Sequence, residues 1–341
     1  MADLSSRGVL SGGAAQDEAS YEQTLRPRSL DEYIGQEKVK DNLRVFIQAA
    51  RSRGEALDHT LLCGPPGLGK TTLANILARE MNVNIRITSG PAIERPLDLL
   101  VLLKGMGSAN DVLFIDEIHR LPRIVEEVLY PCMEDYTFDR AISQATSLRS
   151  TRISLSPFTL VGATTRSGML SSPLRDRFGI IFNLDFYGER ELRQIVKRSA
   201  KILGILIDEE GAGQIGRRCR GTPRIANRLL RRVRDFAQVE NQGVINEDMA
   251  DRALQRLGID KLGLDDMDRK ILDVLVRKFR GKPVGIESIA ACLSEEADNL
   301  EEVYEPYLMQ LGMVQKTPRG RIAAPRAFEY LGVQYNEDGL F

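Results

Sequence analysis

The chain has 341 residues and a formal net charge of -1, with 43% hydrophobic and 28% charged residues. At roughly 100–200 residues per domain, this length predicts two or three globular domains. The balanced charge excludes a uniformly basic nucleic-acid-binding coat but permits local basic patches. Four widely spaced cysteines without a CxxC pair, and only two histidines, argue against a disulfide framework, a zinc site or a histidine-rich metal site. No apolar run is long enough to span a bilayer and the N-terminus lacks a signal-peptide core, so we expect a cytoplasmic protein.

The first chemical landmark lies well inside the chain. Residues 1–20 are rich in Ser, Gly and Ala without periodicity, which predicts a disordered tail. Apolar residues at helical spacing follow between 41 and 50. Residues 64–71 then read GPPGLGKT, which matches the GxxxxGK[ST] phosphate-binding loop. The apolar LLC before it and the helix formers TLANILA after it supply the strand and the helix that this motif requires.

The residue types of this loop suit nucleotide phosphates. Glycines let backbone N–H groups turn toward phosphate oxygens, and the N-terminus of the next helix adds partial positive charge. Lys70 can reach the β- and γ-phosphates, and the Thr71 hydroxyl can ligate Mg²⁺. A plain glycine turn entering a helix would not explain a Lys-Thr pair at this position. The motif therefore predicts a nucleotide with Mg²⁺.

A second landmark, VLFIDE, occupies residues 112–117. Its four apolar residues predict a central strand buried on both faces. The carboxylates follow at the C-terminal end, where open α/β sheets bind their ligands. Asp116 can hold Mg²⁺ through its water shell, and Glu117 can act as a general base toward water. An acidic turn would explain these residues alone, but not together with a phosphate-binding loop.

Residues 136–155 are polar, with β-forming ends and a middle rich in Ser and Thr, which predicts an inserted hairpin with an exposed tip. A long surface loop and a docking element for another protein are both open as interpretations. Residues 158–165 predict a further buried strand that ends in Thr164 and Thr165, where a hydroxyl can sense the γ-phosphate. In LRDRF at 174–178, an arginine can act as a finger toward a neighbouring subunit. A plain surface charge is the alternative.

The pattern becomes helical from about residue 189. GTPR at 221–224 places Pro223 in the first turn of an amphipathic helix and Arg224 at its start, where a lid can lower it onto phosphate. The charged, glycine-containing stretch 258–266 suggests a linker. Three helical segments within 267–311, and two β-leaning pieces around TPRG, predict a winged helix. No acid lies between Tyr307 and Phe328, so the basic wing suits contacts to DNA phosphates.

Taken in order, six motifs resemble the RuvB family, the bacterial Holliday-junction branch-migration motors of the AAA+ ATPase superfamily: GPPGLGKTT, FIDEIHR, VGATTR, SPLRDRFG, GTPRIANRLLRRVRDFA and TPRGR. The likeness covers about residues 25–332, and the last two motifs narrow it from AAA+ ATPases in general. It implies an α/β P-loop AAA+ core, a parallel sheet with flanking helices, at 21–187. A small all-α lid domain at 188–260 and a C-terminal winged-helix DNA-binding domain at 261–341 are expected to follow.

The resemblance also implies roles for single residues. Phosphate contacts would come from Gly67, Lys70, Thr71 and Thr72. Mg²⁺ would lie at Thr71 and Asp116, and the Walker B acids would be Asp116 and Glu117. Thr165 matches sensor 1 with Thr164 as the alternative, Arg177 matches the arginine finger with Arg175 as the alternative, and Arg224 matches sensor 2. Other nucleotide contacts would be Leu25, Arg26, Glu134, Asp135, Tyr136 and Tyr187. DNA contacts would be Lys316, Arg319 and Arg321, although a lysine at 316 lacks the bidentate geometry of the arginine common in the family.

The expected activity is ATP hydrolysis that moves duplex DNA and so drives branch migration of Holliday junctions in recombination and repair. The family also implies a hexameric ring, the partner RuvA docked on the hairpin at 136–155, and RuvC in a larger complex. A clamp-loader-like binding switch is one alternative, and the DNA-directed wing argues against it. A protein unfoldase is another, but residues 89–107 contain no aromatic residue for a pore loop.

Overall fold

In the computed structural model the chain is described over residues 22–144 and 147–335. The tail expected at 1–20 and the hairpin tip at 145–146 lie outside the described residues. The described chain divides into two compact units. One is Arg26–Asp185, and the other combines residues 22–25 with 186–335. The predicted nucleotide-binding core therefore falls in the first unit, and the predicted lid and DNA-binding domain fall in the second.

The first unit is built around a parallel sheet. Its strands are β1 (Thr60–Cys63), β2 (Ile85–Ser89), β3 (Val112–Asp116), β4 (Thr137–Gln144), β5 (Ser147–Ser154), β6 (Thr159–Thr164) and β7 (Ile180–Asn183). Five of them form one sheet in the spatial order β2-β3-β6-β1-β7 with parallel pairing throughout. The three central strands are buried along almost their whole length, as their apolar runs predicted. Because parallel strands end at one edge, the segments after β1, β3 and β6 lie side by side there.

Helices cover this sheet. They are α1 (Glu37–Arg53), α2 (Lys70–Met81), α3 (Pro96–Lys104), α4 (Arg123–Glu134) and the short α5 (Ser172–Arg175). Helix α4 is amphipathic and buries Val125, Leu129 and Cys132 at helical spacing. These side chains join Ile115 from β3 and Phe178 in one apolar core. The segment that carries β4 and β5 is attached to this core at both of its ends.

The hairpin expected between 136 and 155 is present. Strands β4 and β5 pair in antiparallel register, with Thr137 opposite Ser154. The base of the hairpin is anchored because Phe138 is buried in the core and the Leu155 amide donates to the Tyr136 carbonyl at 2.8 Å. Tyr136 also packs edge-on against Phe158, 5.9 Å between ring centroids. The hairpin therefore projects from a rigid base.

The second unit begins with a helical part that contains α6 (Glu189–Ile202), β8 (Leu206–Ile207), α7 (Glu209–Arg218), α8 (Pro223–Glu240), β9 (Val244–Ile245) and α9 (Glu247–Arg256). Pro223 takes the first turn of α8, where its missing N–H costs nothing, and the Thr222 side chain caps the helix by accepting from the Ile225 amide. Leu229 and Val233 carry the predicted apolar stripe into the core. We call residues 187–260 the lid.

The rest of the unit, residues 261–335, we call the head. It contains α10 (Asp266–Asp273), α11 (Ile286–Leu293), α12 (Ala297–Asn299), α13 (Glu305–Gln310), β10 (Val314–Thr317), β11 (Gly320–Ala323) and α14 (Pro325–Tyr330). Single π-helical segments, Val274–Lys278 and Leu300–Tyr304, extend α10 and connect α12 to α13. The β10–β11 hairpin pairs antiparallel, with Lys316 opposite Arg321, and packs with the helices around a separate apolar core. This is the winged helix that the sequence predicted.

The stretch at 258–266, which the sequence suggests is a linker, is held by hydrogen bonds where the lid meets the head. The Tyr307 hydroxyl donates to the Leu262 carbonyl at 2.6 Å, and Arg269 donates to the Gly258 carbonyl at 2.7 Å. The Asp260 carboxylate accepts from the Leu264 amide at 2.9 Å. Contacts that the composition cannot reveal therefore order this segment.

In the part of the chain that the structure describes, none of the helices combines the length and the apolar character needed to cross a membrane.

Candidate nucleotide site and DNA interface

The phosphate-binding loop joins β1 to α2. Gly69 stands at the N-cap of α2 with φ 96°, and no side chain caps the first turn. A Cβ at Gly69 would lie 2.8 Å from the Tyr33 hydroxyl, which itself donates to the Leu68 carbonyl at 3.1 Å. The position thus requires glycine for both backbone angle and space. The uncapped helix start next to the glycine loop is a cradle suited to an anion.

Lys70 projects back into this cradle. Its side chain is buried, and its Nζ donates to the Gly64 carbonyl at 2.6 Å and to the Pro65 carbonyl at 2.9 Å. A buried ammonium at a glycine-rich helix start suits the negative charge of a phosphate. Thr71 and Thr72 follow it in the first turn of α2. The loop and these side chains suit the phosphates of a nucleoside triphosphate.

The two acidic residues after β3 have different surroundings. Asp116 lies at the strand end, where its Oδ1 accepts from the Glu117 amide at 3.0 Å. Glu117 is left-handed at φ 48°, an uncommon conformation for a residue with a side chain, and its carboxylate pairs with Arg120 at 3.1 Å. A residue held in such a conformation at a strand end is typical of functional sites. Among the described residues, no group of three or more His, Cys, Asp or Glu that could hold a metal occurs.

The structure separates the two sensor-1 candidates. The Thr164 hydroxyl lies 3.0 Å from His119 Nδ1 and accepts from the Arg166 amide at 3.0 Å. The Thr165 hydroxyl is buried without a hydrogen-bond partner among the described residues. Burial lowers the pKa of His119, which favours the neutral ring. Thr164 is therefore engaged within the fold, whereas no such contact occurs for the Thr165 hydroxyl among the described residues.

The guanidinium of Arg177 lies against the C-terminal part of α4. Its guanidinium is 4.4 Å above the Tyr130 ring, pairs with Glu134 at 3.2 Å and donates to the Pro173 carbonyl at 2.6 Å. The side chain is 24% exposed. The structure thus brings together two predicted site residues, Arg177 and Glu134.

Arg175, the alternative arginine finger, is exposed and lies at the end of α5. Burial raises the pKa of the Cys63 thiol at the end of β1, and the charges of Arg175 and Lys70 lower it. Arg177, in contrast, is held at α4 by Tyr130 and Glu134.

Sequence reasoning missed the side chains that support Arg177. Tyr130 lies four residues before Glu134, one helical turn away, and this spacing was a readable signal. The Ser171 hydroxyl, 3.2 Å from the Tyr130 hydroxyl, donates to Glu126 at 2.7 Å. No sequence signal pointed to this pairing between α4 and the segment before α5. Asp135 and Tyr136 follow Glu134 at the end of α4, and Tyr136 is again left-handed at φ 51°.

Three predicted nucleotide contacts belong to the second unit. Arg224 is 52% exposed in the first turn of α8 and lies 3.9 Å from the Glu22 carboxylate. The Leu25 carbonyl accepts from Arg198 at 2.7 Å, and the Tyr187 amide donates to the Gly221 carbonyl at 2.9 Å. Leu25 and Tyr187 are buried. Arg26 belongs to the first unit with Lys70.

The predicted DNA contacts on the wing differ in exposure. Arg319 lies exposed in the turn between β10 and β11. Lys316 is exposed but pairs with Glu301 at 2.8 Å. Arg321 is only 11% exposed, since Glu305 binds its Nη2 at 3.0 Å and Glu301 binds it at 2.8 Å. The sequence did not reveal these acids because they come from Leu300–Tyr304 and α13.

A parallel sheet with a phosphate-binding loop, an acidic pair after β3, a helical lid and a winged helix together define an AAA+ P-loop ATPase. Family models match almost the whole chain: "Holliday junction DNA helicase RuvB P-loop domain" at 25–184, "RuvB AAA lid domain" at 187–260 and "RuvB C-terminal winged helix domain" at 261–332. The chain belongs to the RuvB family of Holliday junction branch-migration motors.

Similar proteins agree with this assignment. The chain is 58% identical over 330 residues to the "Holliday junction branch migration complex subunit RuvB" of Dehalococcoides mccartyi, covering 97% of this chain and 94% of that protein. The solved structure of the Thermotoga maritima RuvB Holliday junction branch migration motor matches with TM-score 0.84 and 51% identity, covering 92% of this chain and 100% of that one. A point mutant of the same protein matches with TM-score 0.85 and 51% identity, over 92% and 99% of the two chains.

Proposed function

We propose that this chain is an ATP hydrolase that moves duplex DNA through Holliday junctions, working in the cytoplasm as a hexameric ring together with RuvA. The buried Lys70 ammonium in its phosphate cradle carries the proposal, because in a chain of this family it marks where ATP is held. Backbone groups at Gly67 and the first turn of α2 bind the phosphates, with Lys70, Thr71 and Thr72. Thr71 and Asp116 would hold Mg²⁺, which would supply positive charge to offset that of the β- and γ-phosphates.

ATP hydrolysis requires a water molecule that is oriented toward the γ-phosphate and loses a proton. Glu117 accepts its proton after releasing Arg120, and the Thr165 hydroxyl, which has no partner among the described residues, binds at the γ-phosphate. Arg177 of a neighbouring subunit stabilises charge on the transferring group, a contribution worth roughly 10³–10⁵ in rate. Leu25, Arg26, Tyr187 and the segment of Glu134, Asp135 and Tyr136 surround the rest of the nucleotide.

Movement then passes to DNA. Arg224 on the lid binds the γ-phosphate, and loss of this phosphate after hydrolysis lets the lid rotate. The head grips DNA through backbone phosphates with Arg319, Lys316 and Arg321, so movement has no sequence preference. The β4–β5 hairpin docks RuvA, and RuvC joins the assembly at the junction.

A four-way junction assay tests this function. The purified chain with RuvA and ATP should move the branch point of synthetic junction DNA, and Lys70→Ala should stop both hydrolysis and movement. Lys104→Ala, an exposed lysine on α3, is the matched control. If ATP is hydrolysed in the presence of DNA and RuvA but the branch point never moves, the motor assignment fails and a nucleotide-driven binding switch replaces it.

A further inference from the structure

A buried charge cluster joins the lid to the head, and it includes none of the predicted site residues. Arg220, with a side chain that is 2% exposed, lies in the turn between α7 and α8. Its partners Asp265 and Asp268, 5% and 0% exposed, form the start of the first head helix, α10. We call these three residues the clasp. They are among the few charged side chains of the described chain that are buried this deeply.

The guanidinium of Arg220 is held on several sides. It lies 3.0 Å from Asp265 Oδ2, donates to Asp268 Oδ2 and donates through Nε to the Gly263 carbonyl at 3.0 Å. The rings of Tyr304 and Tyr307 lie within 5.7 Å of it. These contacts all come from the head or from the segment that enters it, so the lid turn is fixed onto the first helical turn of the head.

The two acids also organise the helix that they begin. Asp265 is the N-cap of α10 and accepts from the amides of Met267 and Asp268 at 2.9 and 3.0 Å. Asp268 returns the contact by accepting from the Asp265 amide at 2.8 Å. Burial raises the pKa of Asp268 although the Arg220 charge lowers it. The capping box thus has a second use, as the socket for an arginine from the lid.

The backbone conformation where the lid meets the head is tightly constrained. Arg220 itself is left-handed at φ 52°, a conformation that persists only where surrounding contacts enforce it. Gly263 has φ 75°, and a Cβ there would lie 2.7 Å from the Arg218 carbonyl at the end of α7. The segment between lid and head therefore lies directly against the lid helix.

Buried ion pairs are a weak source of stability, since apolar groups of similar volume often serve as well. What they do provide is a single arrangement of the elements that they join, because any other arrangement leaves a buried charge unpaired. Arg220 lies four residues before Arg224. The Thr222 amide donates to the Cys219 carbonyl at 3.0 Å, which closes the turn that contains Arg220 directly before α8. This short connection links the position of Arg224 to that of Arg220.

We propose that Arg220 is a positioning residue that makes lid and head turn as one body, so that lid rotation at the nucleotide reaches the DNA without loss. This inference rests on the proposed motor function for its consequence, but not for its geometry. Without the clasp, hydrolysis continues while the head no longer follows the lid. DNA movement per ATP is therefore the quantity that Arg220 controls.

The test variant combines Arg220→Met with Asp265→Asn and Asp268→Asn, so that no buried carboxylate is left unpaired and the helix cap is kept. The control combines Arg218→Met with Asp251→Asn. Arg218 is 3% exposed and pairs with Asp251, but both partners lie in the lid. The two arginines are about equally buried, but Arg220 joins the lid to the head, whereas Arg218 pairs with the 30% exposed Asp251 within the lid.

In the clasp variant, we expect DNA-stimulated ATP hydrolysis close to that of the unaltered chain and a fall in base pairs moved per ATP of about tenfold, within the range that coupling contacts carry. The control should keep its ratio. An unchanged ratio in the clasp variant, or an equal fall in the control, overturns the proposal.

A second measurement needs no variant of the clasp and no DNA movement. Spin labels at Val239→Cys in the lid and Met309→Cys in the head, both exposed, report the lid–head distance in a chain carrying Cys292→Ser. We expect one narrow distance distribution that is identical with ADP and with a non-hydrolysable ATP analogue. A distribution that changes with nucleotide overturns the single-body proposal. If the unaltered chain moves no junction DNA, the motor function fails, whereas this distance still tests the clasp.

Discussion

At the scale of single residues, the side chains of the candidate site differ in how the fold holds them. Lys70 donates to the Gly64 carbonyl in the phosphate-binding loop, whereas the buried Thr165 hydroxyl has no hydrogen-bond partner among the described residues. Arg177, by contrast, is stacked, paired and hydrogen-bonded before any neighbour arrives. A finger that is ordered in advance loses less side-chain entropy when it meets the phosphate.

Tyr130 should therefore matter to hydrolysis although it bears no catalytic group. We expect Tyr130→Leu to lower kcat about 2- to 30-fold without weakening nucleotide binding, since a cation–π contact is worth about 0.5–2 kcal/mol. Tyr130→Phe keeps the ring and should behave like the unaltered chain. Steady-state hydrolysis and nucleotide titration check both variants. Equal loss in Phe and Leu would show that the hydroxyl, which lies near Ser171, is what counts.

At the scale of elements, buried polar side chains lock the edge of the sheet to its helices. His59 Nε2 lies 3.0 Å from the Met133 carbonyl at the end of α4, while its Nδ1 accepts from the Leu160 amide of β6 at 2.9 Å. These two contacts require the neutral His59 ring, because a second ring proton, on Nδ1, would face the Leu160 backbone N–H. Burial lowers the pKa of His59 from its ordinary value of 6.5.

The lowered pKa of His59 predicts a loss of stability in acid. Since the unfolded chain takes up the proton first, the free energy of unfolding should fall as pH drops below 6.5, with a slope of at most about 1.4 kcal/mol per pH unit for this group. Above that pH the contribution is complete. Denaturant unfolding of the nucleotide-free chain at pH 7.5 and 5.5 measures it. His59→Gln should lose less stability between these two pH values, and His119 accounts for part of the remaining slope.

The wing hairpin gives a second prediction at this scale, because its two arginines have different surroundings. Arg319→Ala should weaken DNA binding and reduce the slope of log K against log salt by about one, since one phosphate contact is lost. Arg321→Ala should instead lower the stability of the head by about 3 kcal/mol, because Glu305 is left buried and unpaired.

Binding isotherms at several salt concentrations, together with thermal unfolding, separate these two effects. Arg277→Ala, an exposed head arginine paired with Asp273, should alter neither. A folded, fully stable Arg321→Ala chain that loses DNA affinity would mean that Arg321 leaves its acids to bind phosphate.

At the scale of the whole molecule, the proposed active site takes its parts from two subunits. Lys70 and Asp116 lie at the sheet edge, and Arg177 is held at α4 by Tyr130 and Glu134. Each chain would therefore hold half of two different sites. On this proposal, turnover would require assembly of the ring.

Mixing two inactive chains tests this division directly. Lys70→Ala and Arg177→Ala should each hydrolyse ATP poorly alone, and a mixture should recover part of the activity, because some interfaces combine the intact half of each. Hydrolysis measured across mixing ratios should pass through a maximum at intermediate composition. A flat response would place the finger and the loop in the same subunit, and Arg175 would then replace Arg177 as the candidate.

The sequence alone determined the class of the protein and much of the core of its site. GPPGLGKT and VLFIDE predicted the loop and the acids because local order, strand then glycine loop then helix, sets their geometry within a few residues. Apolar periodicity likewise predicted the buried strands, the amphipathic helix after Pro223 and the winged helix. These features depend on contacts between neighbours along the chain.

Only the tertiary structure decided which side chains meet across long separations. It divided the two threonines by giving Thr164 to His119, 45 residues away, and it turned Arg321 inward onto Glu305. It also showed that the predicted linker adjoins an ion pair between Arg220 and Asp268, 48 residues further on. Composition cannot reveal such pairs, because hydrogen bonds and ion pairs between distant segments depend on how the elements pack, and packing is decided by the whole apolar core.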